Sequence, residues 1–186
     1  MATIRWTSKD LELLPDDGKR YEIVDGELYV SRQPDWHHQH VCLRLGSILD
    51  IWSMQTKSGS ANGTPEVAFA DDNDVIPDVV WISRERLATA LEPDGKLYSA
   101  PELAVEVLSS GRTNSARDRE AKLKLYSRHG VLEYWIVNWQ ERYLEIYRRQ
   151  DALLKLHSTL YEGDILQSHH LPGFSCPVSQ IFADTF

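Results

Sequence analysis

The pattern of apolar and polar residues in the first third of the chain predicts a β-hairpin followed by a helix. Strand-forming runs flank Asp25-Gly26 within residues 20–30. Asp-Gly is typical of a type I′ turn, because both central residues of that turn need a positive φ. Through residues 36–55 the apolar residues recur at helical spacing and predict one amphipathic helix. Its apolar stripe consists of Val41, Leu45, Ile48, Leu49 and Trp52.

The middle of the chain predicts short strands. Residues 63–70 and 75–82 have the composition of strands, and residues 71–74 form an acidic turn between them. Residues 84–90 favour a short helix, and residues 91–100 favour a loop.

A βαβ unit is predicted further on. Leu103–Leu108 is almost entirely apolar, which is typical of a strand buried on both faces. Residues 115–129 are helical in pattern and stop at Gly130, a residue suited to the left-handed conformation that ends helices. Residues 134–137 form a second apolar strand, which a helical crossover places parallel to the first.

The remaining residues complete an α/β fold with a mixed, partly parallel sheet. Residues 142–148 and 152–159 predict an antiparallel extension of that sheet. The tail after them predicts loop and a short terminal helix.

Length and composition indicate a single folded domain over residues 1–186. The chain has 42% apolar and 26% charged residues, which excludes a disordered or low-complexity protein. Its net charge of −8 argues against a protein coated with basic charge for indiscriminate nucleic-acid binding. A local basic patch remains compatible with that total.

Cysteine usage and hydropathy indicate a cytoplasmic protein. Cys42 and Cys176 lie far apart in the sequence, which argues against a disulfide scaffold and a thiolate zinc site. No signal-peptide run or stretch of 18 apolar residues is present, so we expect no membrane helix. The sequence also lacks a P-loop and the motifs GxGxxG, HExxH and GxSxG.

Two carboxylates in apolar strands are the first candidate chemistry. Glu106 lies inside the strand predicted to be fully buried, and Asp78 precedes the apolar run Val79–Ile82. A more exposed strand, or an ion pair with a lysine or arginine, is the alternative for Glu106. An ordinary Pro-Asp strand start is the alternative for Asp78. Together the two carboxylates suit a hard cation such as Mg²⁺ or Mn²⁺.

Lys122 is the third candidate. Glu106 lies about 10 Å before the end of its strand, and Lys122 lies about 10 Å into the returning helix, which places them at similar depth. The alternative is a surface lysine that extends its ammonium into water.

Basic residues are concentrated between residues 110 and 130. This segment suits phosphate contact, although a solvated helix face explains it equally well. Asp118 and Glu120 oppose its cations, which are Arg112, Arg117, Arg119, Lys122, Lys124 and Arg128.

The segments that contain these candidates resemble a known family. Ile76–Ile82, Pro101–Ser109, Arg117–Tyr126 and Gly130–Val137 are similar to the bacterial family of putative restriction endonucleases within the PD-(D/E)xK nuclease superfamily. Tyr21–Leu28 and His38-Gln39 extend the likeness, which covers about residues 20–150 in order.

The resemblance implies a restriction-endonuclease-like fold, a mixed central β-sheet flanked by helices. It also implies a Mg²⁺ or Mn²⁺ ion held by Asp78, Glu106 and the Val107 carbonyl. Leu108 stands where the superfamily signature has its lysine, and Lys122 from the following helix takes that place.

Further site residues are carried over from the same family. Glu22 matches the acidic residue that completes such sites. His38 and Asp118 are expected to support the site from further out.

The function expected from these residues is metal-dependent endonucleolytic hydrolysis of DNA. A non-catalytic nucleic-acid-binding or assembly module that retains the nuclease fold is one alternative. A hydrolase of smaller phosphodiesters is another. Aromatic residues near the C-terminus suggest either a homodimer or packing on the chain's own core; they are Trp139, Tyr143, Tyr147, Phe182 and Phe186.

Overall fold

The computed structural model describes residues 5–109 and 117–183, with the backbone alone at residues 117 and 118. In chain order the first half contains α1 Ser8–Leu11, β1 Arg20–Val24, β2 Glu27–Ser31, α2 Trp36–Thr56, β3 Gly59–Gly63, β4 Val67–Ala70, β5 Asn73–Val75, β6 Val79–Ser83 and α3 Arg84–Ala90. The second half contains β7 Leu103–Val107, a π-helical turn Arg117–Lys122, α4 Leu123–His129, β8 Glu133–Asn138, β9 Tyr143–Gln150, β10 Leu153–Tyr161, β11 Ile165–Gln167, β12 Ser175–Pro177 and α5 Val178–Ile181.

Two sheets form the fold. The larger has the strand order β10-β9-β8-β7-β6-β3, and the smaller has the order β2-β1-β5-β4. β7 and β8 pair in parallel, whereas the other pairs in the larger sheet are antiparallel. The expected βαβ unit, antiparallel extension and mixed sheet are therefore confirmed. β11 and β12 form a separate antiparallel pair in the tail, where only loop and a helix were predicted.

The predicted strands 63–70 and 75–82 are wrong in extent. β3 belongs to the larger sheet and β4 to the smaller, and the chain crosses between them at Thr64-Pro65. It returns at Pro77, between β5 and β6. Proline has no N–H to donate to a neighbouring strand. Pairing in one sheet therefore ends near each proline, and the next strand of the chain lies in the other sheet. Residues 73 and 74, predicted to lie in the acidic turn, are part of β5.

The hairpin and the long helix agree with the sequence pattern. Asp25 and Gly26 have φ values of 55° and 76°, as the type I′ turn requires. In α2 the buried stripe includes Val41, Leu45 and Leu49, and it packs on the larger sheet.

The larger sheet is covered on both faces, and this determines where β7 directs its side chains. Leu103, Val105 and Val107 belong to the core cluster that contains α2. Ala104 belongs to the cluster that contains α4. Because side chains alternate along a strand, Glu106 is directed toward the α4 side.

The helix expected over residues 115–129 is described from residue 117. It begins as a π-helical turn, continues as α4 and ends at Gly130 with φ 90°. Nothing in the apolar periodicity indicated the π-helical turn, whose wider winding changes the direction of the side chains that follow it.

The C-terminal aromatic residues pack mainly on the chain itself. Phe182 is buried, and Trp139 packs against the core cluster of α2. Phe186 lies outside the described residues. Both cysteines are buried and free, as expected. Within the described ranges, none of the helices combines the length and apolar character of a membrane span.

Asp74 is a buried carboxyl group in the smaller sheet that destabilises the fold when it is ionised. Its side chain is 1% exposed, and neither carboxylate oxygen has a hydrogen-bond partner among the described residues. The ammonium of Lys96 lies 3.8 Å away and pairs more closely with Glu66. Burial, together with the nearby charge of Glu66, raises the pKa of Asp74 to about 6. The folded state therefore disfavours the ionised carboxylate.

We expect Asp74→Asn to stabilise the protein at pH 7 by about 1–3 kcal/mol. A carboxyl group whose pKa is raised on folding stabilises the fold only below its unfolded pKa of about 4. That stability is lost as the pH rises through about 6. Urea unfolding at pH 4 and pH 7 should show the gain only at the higher pH. Asp16→Asn, at an exposed position, is the control, and an equal gain at both pH values would contradict this account.

Candidate active site

A buried ion pair joins β7 to the helix that follows it. The ammonium Nζ of Lys122 lies 2.7 Å from Oε1 of Glu106. Lys122 is 1% exposed and Glu106 is 3% exposed, so the interpretation of Lys122 as a surface lysine is wrong. One helical turn later, the Tyr126 hydroxyl donates a hydrogen bond of 2.8 Å to the same oxygen. The ion pair that was the alternative for Glu106 is present, and Lys122 is the partner that sequence depth placed beside it.

The hairpin adds two charged residues to this cluster. Arg20 and Glu22 are two residues apart in β1, so their side chains lie on the same face of the strand. Glu22 Oε1 lies 2.9 Å from Lys122 Nζ, and it also accepts the backbone N–H of Ile76 at 2.9 Å. The ammonium of Lys122 therefore lies between two carboxylates that come from different sheets.

Asp78 is fixed by donors on three elements. Arg20 Nη1 lies 2.8 Å from Oδ1, and the Val107 backbone N–H donates to Oδ2 at 2.9 Å. His38 Nε2 lies 3.1 Å from Oδ2. Burial alone raises the pKa of Asp78, but the hydrogen bonds and charges of His38 and Arg20 outweigh it and hold that pKa well below its ordinary value. Asp78 is thus maintained as a carboxylate.

The position of His38 follows from the start of α2. The N-cap residue Asp35 accepts the backbone N–H of His38 at 3.0 Å. The other ring nitrogen, Nδ1, lies 3.5 Å from Cys42 Sγ, one turn along the helix. His38 therefore contacts Asp78, and its role in supporting a catalytic site stays a prediction.

All four expected catalytic residues line one small cavity. Its volume is about 20 Å³, which is room for about one water or one small ion. Inside it are three carboxylates and the ammonium of Lys122, with Arg20 partly buried and Arg32 exposed at the mouth. The charged and polar residues that line it are Arg20, Glu22, Ser31, Arg32, His38, Asp78, Glu106, Ser109 and Lys122.

The donor set fits a hard divalent cation. Carboxylate oxygens are the protein ligands that Mg²⁺ and Mn²⁺ prefer, and Asp78 and Glu106 both supply them at this cavity. Val107 lines the same cavity. His38, Cys42 and Asp78 also place ligand atoms within 4.8 Å of one another. Burial raises the pKa of the Cys42 thiol far above its usual range, so Cys42 favours the thiol form, which does not ligate such cations.

Sequence reasoning missed Arg20, Arg32 and Tyr126. A signal existed for two of them. Arg20 is two residues before Glu22, the spacing of one strand face, and Tyr126 is four residues after Lys122, the spacing of one helix face. The partner of each depended on contacts between distant elements.

The basic segment is more neutralised than its composition suggested. Arg119 pairs with Glu145 at 3.2 Å, and Arg128 pairs with Asp25 at 2.5 Å. Arg112 lies outside the described residues, and so do the side chains of Arg117 and Asp118.

Comparison with known proteins identifies a family. A family model described as "Uma2: Putative restriction endonuclease" matches residues 8–179. No curated protein matches the chain.

Two solved structures are similar to this chain, and the first of them has the same fold. A putative nuclease belonging to DUF820 from Anabaena variabilis has a TM-score of 0.74 at 17% identity, covering 95% of this chain and 97% of that chain. The type IIG restriction endonuclease BpuSI has a TM-score of 0.45 at 11% identity, covering 77% of this chain and 15% of that chain. The first likeness confirms the expected restriction-endonuclease-like α/β fold.

We expect Lys122→Met to destabilise the protein at pH 7 by about 3–5 kcal/mol, because it leaves two buried carboxylates without their cation. Urea unfolding at pH 7 checks this loss.

The matched control is Lys124→Met, which removes an exposed lysine two residues away. A loss of less than about 1 kcal/mol in Lys122→Met, as exposed ion pairs give, would contradict the buried pairing.

Proposed function

This chain belongs to the Uma2 family of putative restriction endonucleases, and we propose that it hydrolyses phosphodiester bonds of DNA with a divalent cation, Mg²⁺ or Mn²⁺. The observation that supports this proposal is the cavity that gathers Glu22, Asp78, Glu106 and Lys122. Burying three carboxylates stabilises a fold poorly compared with apolar packing. Titratable groups gathered in a cleft are typical of catalytic sites.

Asp78 and Glu106 would hold the ion, with the Val107 carbonyl as a third ligand. When bound, the ion would supply an activated water and would offset negative charge on the phosphate. Arg20 and His38 keep Asp78 ionised and fix its direction. The hydroxyl of Tyr126 fixes the direction of Glu106.

Lys122 acts on the reacting phosphate. Its ammonium orients the attacking water and stabilises the charge that develops on the phosphoryl oxygens. Glu22, 2.9 Å from that ammonium, holds it in place and orients a water at the site. The water oxygen bonds to phosphorus as one ester P–O bond breaks. The attacking water gives up a proton to solvent, and the departing oxygen takes up a proton from solvent.

Exposed cations would receive the DNA backbone. Arg32 lies at the mouth of the cavity, and Lys124 is exposed on the following helix. The loop from Ser109 to Asn114 is proposed as a further backbone contact, and all of it beyond Ser109 lies outside the described residues. A homodimer and a cytoplasmic location remain predictions.

We expect Glu106→Gln to lower Mn²⁺-dependent nicking of supercoiled plasmid by at least about 100-fold, because the amide keeps the shape of the carboxylate and loses its charge. Gel electrophoresis of the plasmid measures the rate, and thermal unfolding monitors the fold.

Glu120→Gln, an exposed position in the π-helical turn, should nick at the wild-type rate. If Glu106→Gln retained more than a tenth of the activity, the assignment of Glu106 would be wrong. Hydrolysis of a chromogenic phosphodiester with intact plasmid would instead identify a smaller substrate.

Calorimetry should show that the wild-type protein binds Mg²⁺ or Mn²⁺ at millimolar concentration and that Asp78→Asn does not. The amide offers one weaker oxygen ligand in place of a carboxylate. The absence of ion binding in the wild-type protein would favour the alternative of a non-catalytic module with the nuclease fold.

A further inference from the structure

A groove adjoins the small cavity and shares Asp78 with it. It runs between α2 and β3, the strand that ends the larger sheet. Its volume is about 370 Å³, within the range of about 300–1,000 Å³ typical of small-ligand sites. The side chains that carry the argument are Gln39, Leu43, Asp50, Asn62 and Thr64, with Gly46 in the wall.

Gly46 occupies a position where packing does not require glycine. It lies in the interior of the 21-residue helix α2, where glycine destabilises a helix relative to alanine. A Cβ atom added at Gly46 would meet no heavy atom within 4 Å. Since neither the backbone conformation nor a neighbour demands it, the glycine keeps open a space into which a ligand can approach the helix closely.

Backbone strain marks the other wall. Thr64 has a φ of 51°, an unfavourable conformation for a β-branched residue. Its backbone N–H donates to the carbonyl oxygen of Asp78 at 3.0 Å. Strained residues of this kind concentrate at functional sites, where surrounding contacts hold them. The hydrogen bond joins this wall of the groove to the backbone of a candidate metal ligand.

The lining has the chemistry of a site for a neutral, hydrogen-bonding group. The groove contains no cation among the described residues that line it, and Asp50 is acidic. A phosphate is therefore better placed on the cavity side, near Arg20 and Arg32. The amides of Gln39 and Asn62 offer a donor and an acceptor each, the pattern that pairs with base edges.

Exposed apolar side chains continue this face. Leu43 is 66% exposed in the wall of the groove, and Trp36 is 75% exposed. Trp36 lies seven residues before Leu43, on the same side of α2. Stacking of bases on such aromatic residues is the common mode of single-strand recognition.

We propose that this groove binds the unpaired base and sugar of the nucleotide adjacent to the phosphate in the cavity. The proposal rests on the proposed function and specifies its substrate class, a single strand or a nucleotide extruded from a duplex. A paired base would have to leave its stack to enter, as it does in enzymes that extrude bases.

The first test is the binding of a fluorescein-labelled single-stranded oligonucleotide in Ca²⁺, measured by anisotropy. Gly46→Leu fills the groove and should weaken binding at least tenfold, while its thermal midpoint stays at or above that of the wild type. Gly163→Leu, at another glycine whose Cβ would meet nothing within 4 Å, should bind as the wild type does. Wild-type affinity in Gly46→Leu would overturn the proposal.

The second test separates a blocked base site from a general defect. A set of oligonucleotides, each with one abasic nucleotide, is bound to both proteins. The wild type should lose about tenfold at one position, and Gly46→Leu should lose nothing further there. The proposal would be overturned if the losses of binding from Gly46→Leu and from the abasic nucleotide were additive. It would also be overturned if the wild type were a dimer that Gly46→Leu converts to a monomer.

A duplex containing 2-aminopurine distinguishes the two sources of an unpaired base. A rise in its fluorescence on binding identifies extrusion, and binding of single strands alone identifies a single-strand substrate. If Glu106→Gln loses nicking while Gly46→Leu binds normally, the groove proposal fails and the nuclease proposal stands. If the wild type does not nick DNA but the oligonucleotides with an abasic nucleotide give the expected losses, the nuclease proposal fails and the groove proposal stands.

Discussion

The contact between the Lys122 ammonium and the carboxylates of Glu106 and Glu22 is the constraint on which the site depends. It connects a strand of the larger sheet, a strand of the smaller sheet and the helix that follows β7. Charges this deeply buried are stable only as a set, because removal of one leaves the others uncompensated. The same contact therefore fixes three elements relative to one another and concentrates negative charge around one cavity.

The two crossings between the sheets place the remaining carboxylate. Pro77 ends pairing in the smaller sheet, and Asp78 follows it at the start of β6, beside β7. The smaller sheet contributes Arg20 and α2 contributes His38, and both hold Asp78 in its ionised form. Because Thr64, at the other crossing, bonds to the Asp78 backbone, the groove and the cavity share one wall.

The sequence predicted those features that local patterns determine. The Asp25-Gly26 turn, the buried stripe of α2 and the apolar strand around Glu106 each follow from residues near in sequence. The meeting of Glu106 with Lys122 was also predictable, because a strand and its returning helix have known rises per residue. The division of strands between two sheets was not, since sheet membership depends on partners far along the chain. Arg20 and Tyr126 were missed for the same reason, although their spacing from Glu22 and Lys122 was visible.

The central claim is that Asp78 and Glu106 share one divalent cation. Anomalous diffraction from crystals soaked in Mn²⁺ tests it most directly. A peak within coordination distance of both carboxylates, absent from Asp78→Asn crystals, is the expected result. A peak elsewhere, or a cavity without manganese in crystals that diffract well, would contradict the account.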